Sequence, residues 1–186
     1  PGSGDPTVAA NPLDIILGCF WITKTVDGEV GEGKIFEDPT AAITAQNYGA
    51  ISFRSKIKIL APNTPKFKGL EGTLVETSVG RILFNDLLPA DYPFVNKEID
   101  RKRLNILVDD FINTYDMSML PPVLDKIKSF GFKYTTYSGT TWGIDDVVVP
   151  KGKYEVIGKA KAQSDLIMTQ FSEGLLTEEE RMRKNI

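Results

Sequence analysis

The most regular pattern in the chain lies between residues 51 and 59. Ile51, Phe53, Ile57 and Ile59 alternate with Ser52, Arg54, Lys56 and Lys58, a period of two that predicts a strand with one buried and one wet face. A loop over Pro62–Gly72 and a returning strand over Gly72–Ser78 follow, then a short apolar element from Val79 to Leu88 that Pro89 ends. Elsewhere the period is helical. Leu13, Ile16, Leu17 and Phe20 recur behind Asn11-Pro12, a capping side chain followed by proline at the first helical position. Asp14 sits at the positive end of that helix's dipole. A glycine-rich turn (Asp27-Gly28, Gly31, Gly33) leads to a second helix, capped by Asp38-Pro39 and ended by Gly49.

From about residue 95 the pattern is helical almost throughout. Asp100 caps a helix whose Leu104, Leu107, Val108, Phe111, Ile112 and Tyr115 form an apolar face. A further helix runs from about Met119 through Leu120, Val123, Leu124 and Ile127 and stops at Gly131. Pro121 and Pro122 fall in its first turn, where amides have no helical partner. Ile144 to Val149 predicts an extended stretch. A long helix covers Lys153 to Glu173 and is closed by Gly174, and Thr177 with Glu180 forms a capping box that starts another. On the long helix Ile157, Ala160, Ile167 and Phe171 follow a coiled-coil-like spacing, which Ser164 interrupts, while Gly158 weakens the helix near its start. The predicted fold class is α+β: a small mixed α/β region over residues 1–95, then a mostly helical region over 96–186 that ends in a partial antiparallel helical hairpin. Two readings of that hairpin stand side by side, a packing unit inside a bundle and a protruding docking arm.

Composition narrows the chemistry. The 186 residues suffice for one substantial core or two small ones. With 41% hydrophobic and 25% charged residues and a mean hydropathy of −0.14, a soluble globular protein is expected. No apolar run approaches the roughly 20 residues of a membrane span. The chain opens Pro-Gly-Ser-Gly-Asp, without Met and without a signal-peptide pattern, so a cytoplasmic piece of a longer chain is expected. One cysteine, Cys19, permits no internal disulfide, and the absence of histidine removes the familiar triads and most zinc sites. A net charge of −3 means that any contact with nucleic acid must rest on a local patch.

Three groups of residues carry candidate chemistry. Asp145-Asp146 is the obvious carboxylate pair, but neighbours on an extended segment point to opposite sides and no third carboxylate lies close by, so turn and solvated surface is the favoured reading. The basic groups Arg54/Lys56/Lys58, Lys66/Lys68 and Arg101/Lys102/Arg103 are candidates for phosphates. The last opens a helix, where cations are mildly unfavourable; solvated surface and functional patch are both open there. Trp21 and Trp142 are expected in a core or an interface. The glycine turns have neither dinucleotide-binding nor Walker spacing.

The order of the pieces resembles the bacterial RNA polymerase β′ family. Val75-Glu76-Thr77-Ser78-Val79-Gly80-Arg81-Ile82-Leu83-Phe84-Asn85 is similar to V-E-T-T-x-G-R-x-x-F-N and leads into Leu88-Pro89 and Pro93-Phe94-Val95-Asn96. Upstream, Gly4-Asp5-Pro6 and Asp14 to Phe20 resemble G-x-P…Q-D-x-V-L-G-x-Y-Y. Downstream, Gly131-Phe132-Lys133-Tyr134-Thr135, Ser138-Gly139, Ile144-Asp145-Asp146 and Pro150 resemble G-F-x-Y-A-T-x-S-G…I-D-D-x-x-x-P. Finally Gly174-Leu175-Leu176-Thr177 with Glu180-Arg181 resembles G-L-x-T-x-x-E-R.

The resemblance implies a non-catalytic segment of a nucleotidyltransferase, inactive alone, with the catalytic magnesium bound outside this segment and no cofactor within it. Residues up to about 95 would form the pore region beside the nucleotide-entry (secondary) channel. The remainder would form the funnel with the first rim helix. Channel-lining candidates are Arg81, Arg101, Lys102, Arg103, Asp145 and Asp146; factor-docking candidates are Leu175, Leu176, Glu178 and Arg181. Partners would be the other polymerase subunits and secondary-channel transcription factors, with DNA and RNA reached only through the complete enzyme, no membrane, and self-association through the exposed rim helix. Leu13 departs from a Gln of the family. At an alarmone site known in some relatives Asp125 matches, but Ser118 and Ser129 stand where Lys and Tyr would be, and no alarmone binding is expected. A free-standing interaction module using the hairpin is the second reading, and a small hydrolase using Asp145 or Asp146 a third.

Overall fold

In a computed structural model describing residues 13–186, the described chain divides into two units, residues 13–140 and 141–186. The cap expected at Asn11-Pro12 lies outside the described residues. In the first unit helix α1 (Leu13–Thr23) is followed by β1 (Ile35–Phe36), α2 (Pro39–Asn47), β2 (Ile57–Leu60), β3 (Leu74–Thr77), α3 (Val79–Asn85), α4 (Arg101–Thr114) and α5 (Leu120–Ser138). The second unit holds a 3₁₀ turn at Ile144–Asp146, α6 (Lys153–Ser172) and α7 (Glu178–Asn185). The architecture is α+β. β1 pairs parallel with β2, and β2 antiparallel with β3 in a register that sets Ile59 opposite Val75.

Local chemistry places most of these boundaries. Asp38, Ser78 and Asp100 each accept a backbone N–H three residues on, capping α2, α3 and α4. Gly139 adopts a left-handed conformation that ends α5. Two apolar clusters fill the unit. One joins Ile15, Cys19 and Ile22 of α1 to Phe84, Leu104, Phe111, Ile127 and Phe130; the other lies between the sheet, α2 and α3 around Ile57, Ile59, Val75 and Ile82. Burial pushes the Cys19 thiol up to about 12, so it serves as a small apolar side chain.

The structure corrects several expectations. Helix α5 does not stop at Gly131 but continues to Ser138. Gly131 is buried at a close crossing with α1, where an added Cβ would sit 2.7 Å from the Ile15 Cα. The strand expected over residues 51–59 is confined to Ile57–Leu60. Before it, Ser55 turns the chain: its amide donates to the Ser52 carbonyl, its hydroxyl accepts from the Ser52 amide and donates to the Val30 carbonyl, a local bonding that competes with a ladder. Ile51 is nevertheless buried, as its place in the alternation requires. On α4, Ile112 is 42% exposed and falls outside the apolar face. The extended stretch at Ile144–Val149 begins instead as the 3₁₀ turn. Trp142 is 81% exposed, which removes the core alternative for it.

In the second unit the capping box forms as the sequence predicts, Thr177 and Glu180 bonding reciprocally. Gly174, with φ of 75°, makes the turn between the helices. The seam on α6 is covered only near that turn. Ile167 is buried and Phe171 half-buried, whereas Ile157 is 50% exposed.

Candidate functional site

Arg81 is committed to the frame. From α3 its Nε donates to the Thr23 carbonyl at 3.0 Å and a terminal nitrogen to Asn96 Oδ1 at 3.1 Å. Burial pulls its pKa below the usual guanidinium range, with Glu98 opposing. Thr23 in turn accepts the Ile99 amide at 2.8 Å, and the buried Asn85 exchanges two hydrogen bonds with Val95. Lys66 adds donations to the Asn85 and Leu88 carbonyls. This network fixes residues 95–100, and with them the start of α4, against α1 and α3.

At that start Arg101 and Lys102 are exposed, and neither forms an ion pair among the described residues. Arg103 is held instead by Glu98, donating to its carbonyl at 2.9 Å with the carboxylate 3.7 Å away. The triplet is therefore two available cations and one braced one. Because Asp100 Oδ1 accepts the Arg103 amide at 2.7 Å, the acidic cap offsets the cost of opening a helix with positive charge.

Asp145 and Asp146 lie in the second unit, both exposed. The Asp146 carboxylate accepts the Gly143 amide at 2.7 Å, a turn-closing bond. Among the described residues no three His, Cys, Asp or Glu side chains are gathered. At the hairpin turn Leu175 is 68% exposed and Leu176 half-buried. Arg181 lies 5.2 Å over the Phe171 ring and donates from Nε to the Glu178 carboxylate at 3.0 Å; that bond holds Glu178 below the ordinary carboxylate range. The turn thus presents one apolar side chain beside an Arg–Glu pair. No described helix is long and apolar enough to cross a membrane.

One group escaped the sequence reading. Arg54, read there as a phosphate candidate or the wet face of a strand, lies over Trp21 and bonds to Glu29 at 3.0 Å. The partners are 25 residues apart in sequence, and no spacing rule joins them.

The class follows from comparison. Residues 1–147 match the family described as RNA polymerase Rpb1, domain 3, and the chain belongs to it. Within that class it is similar to the DNA-directed RNA polymerase subunit β′ of bacteria. Identity to that of Desulforamulus reducens is 38% over 186 residues, all of this chain and 15% of the relative. The Sulfurihydrogenibium subunit is 37% identical, with the whole chain and 11% of the relative covered. That of Nocardioides is 38% identical across the whole chain and 15% of the relative. The chain thus spans between about one ninth and one seventh of the length of these relatives.

Proposed function

We propose that this chain acts as a non-catalytic segment of the largest subunit of a DNA-directed RNA polymerase, forming part of the wall of the secondary channel that admits nucleotides and receives transcription factors. The observation that carries the reading is similarity along the entire chain to one segment of bacterial β′ subunits. The braced start of α4 supports the channel role: a rigid network holds two unpaired cations at the surface, where they raise the local concentration of anionic nucleotides. Residues 1–95 are assigned to the pore and 96–186 to the funnel, and the Leu175 turn with Glu178 and Arg181 to factor docking. Partners on this reading are the other polymerase subunits, secondary-channel factors and, through the half-covered seam of α6, a second copy of the chain. Magnesium belongs to the complete enzyme, outside these residues.

The test is a reconstituted polymerase carrying Arg101→Gln and Lys102→Gln. Its apparent KM for nucleotides rises, more at low salt than at high, while Arg103→Gln alone changes KM little. An unchanged salt dependence in the double variant would return both residues to ordinary solvated surface.

A further inference from the structure

The cleft beside Trp21 contains none of the residues named above as channel-lining or factor-docking candidates. Its floor is the ring of Trp21, with the Arg54 guanidinium carbon 4.7 Å from the centroid. Tyr137, near the end of α5, sets its ring 5.9 Å from that of Trp21 and meets Phe53 edge-on at 5.5 Å. Gln46 of α2 and Glu29 complete a space of about 400 Å³, within the range of small-ligand sites. Trp21 and Gln46 are half-buried there, and Tyr137 is 63% exposed.

Charge decides what such a cleft can take. Aromatic rings beside a carboxylate suit a cation, but Arg54 already fills that place and is paired with Glu29. An outside ammonium or guanidinium group must displace it. An anion finds no net positive charge, because Glu29 cancels Arg54. The features left open are the exposed Tyr137 ring and the half-buried Gln46 carboxamide. We propose that this cleft binds a neutral, planar heteroaromatic small molecule with ring-nitrogen or carbonyl acceptors, stacked against Tyr137 beside the Arg54-covered Trp21 and hydrogen-bonded by Gln46. The proposal rests on these residues alone and does not depend on the channel assignment.

Fluorescence of the full chain tests it. The chain has two tryptophans, so Trp142→Phe leaves Trp21 as sole reporter. Adenosine is the neutral probe and AMP its charged counterpart. Adenosine is expected to quench Trp21 saturably, with AMP binding no tighter. Tyr137→Ala in the same background weakens adenosine binding by about tenfold, the loss of one stacking partner. Gln46→Ala, on a half-buried position of a surface helix, weakens it by a smaller factor with the circular-dichroism melting curve unchanged. This second variant keeps the test open if Tyr137→Ala fails to fold. Unsaturable quenching, affinity indifferent to Gln46→Ala, or AMP binding about tenfold more tightly than adenosine each overturns the proposal.

Discussion

Glycine does opposite work in the two units. In the first, a Cβ on Gly18 would collide with the Gly131 carbonyl oxygen, and one on Gly80 with the Ile22 carbonyl oxygen. These glycines let α1 approach α5 and α3 at backbone distance, and Thr135 clips the first crossing by donating to the Asp14 carbonyl. In the second unit, Gly158 lies inside α6 and an added Cβ would meet nothing within 4 Å. One residue type is a packing necessity in the first case and only an entropic cost to the helix in the second. The first unit is held by tertiary contact, through two clusters of buried side chains. The second is held by local devices: a capping box, the i,i+4 pair Glu155–Lys159 at 2.7 Å, and a single buried apolar residue, Ile167.

That contrast breaks most visibly on one substitution made twice. Gly80→Ala should destabilise the first unit by about 3 kcal/mol, since the Ile22 backbone cannot yield as a flexible side chain would. Chemical denaturation followed by circular dichroism reads this directly. A loss under about 1 kcal/mol would mean that α3 slides freely on α1 and that the crossing is not fixed by glycine. Gly158→Ala, by contrast, should strengthen α6 by up to about 1 kcal/mol through helix propensity alone. Amide hydrogen exchange in α6 should slow, while exchange in α1 and α5 stays as it was. Faster exchange in α6 would show that Gly158 is required by a contact of its own.

The same contrast explains which features could be read in the sequence. Caps and turns were legible because their chemistry is complete within four residues: Asp38, Asp100, Gly174 and the Thr177–Glu180 box stand where the pattern put them. Gly131 was misread as a helix stop because the reason for it, the Ile15 backbone, lies more than a hundred residues away. The β2 strand was drawn too long for a related reason. Alternation records which side chains are buried, and Ile51 is, but it does not reveal that Ser55 bonds back to Ser52 and to Val30. In the candidate site, Arg101 to Arg103 were legible as a cluster, but not as two available cations and one braced by Glu98. Arg81 was noticed in a motif and as a channel-lining candidate, but not as a brace, because its bonds to Thr23 and Asn96 span 58 and 15 residues.

The smallest expected effect tests the Arg54–Glu29 pair that the sequence concealed. The Ser52 hydroxyl and the Arg54 guanidinium hold the Glu29 carboxyl below its ordinary value of 4.5. A carboxyl with a depressed folded pKa stabilises the fold fully above the unfolded value, and that contribution disappears as pH falls through the folded value. Stability from this pair is therefore present at neutral pH and lost on the acid side of 4.5. Glu29→Gln keeps the shape but removes the titration. It should melt slightly below the parent at pH 7, and the difference should close as pH drops below 4.5. Each side chain of the pair is 23% exposed, so solvent screens the interaction and added salt should narrow the gap at pH 7. A gap that persists unchanged into acid would assign the loss to packing against Arg54 rather than to charge. In that case the cation over Trp21 would be held by the indole face alone.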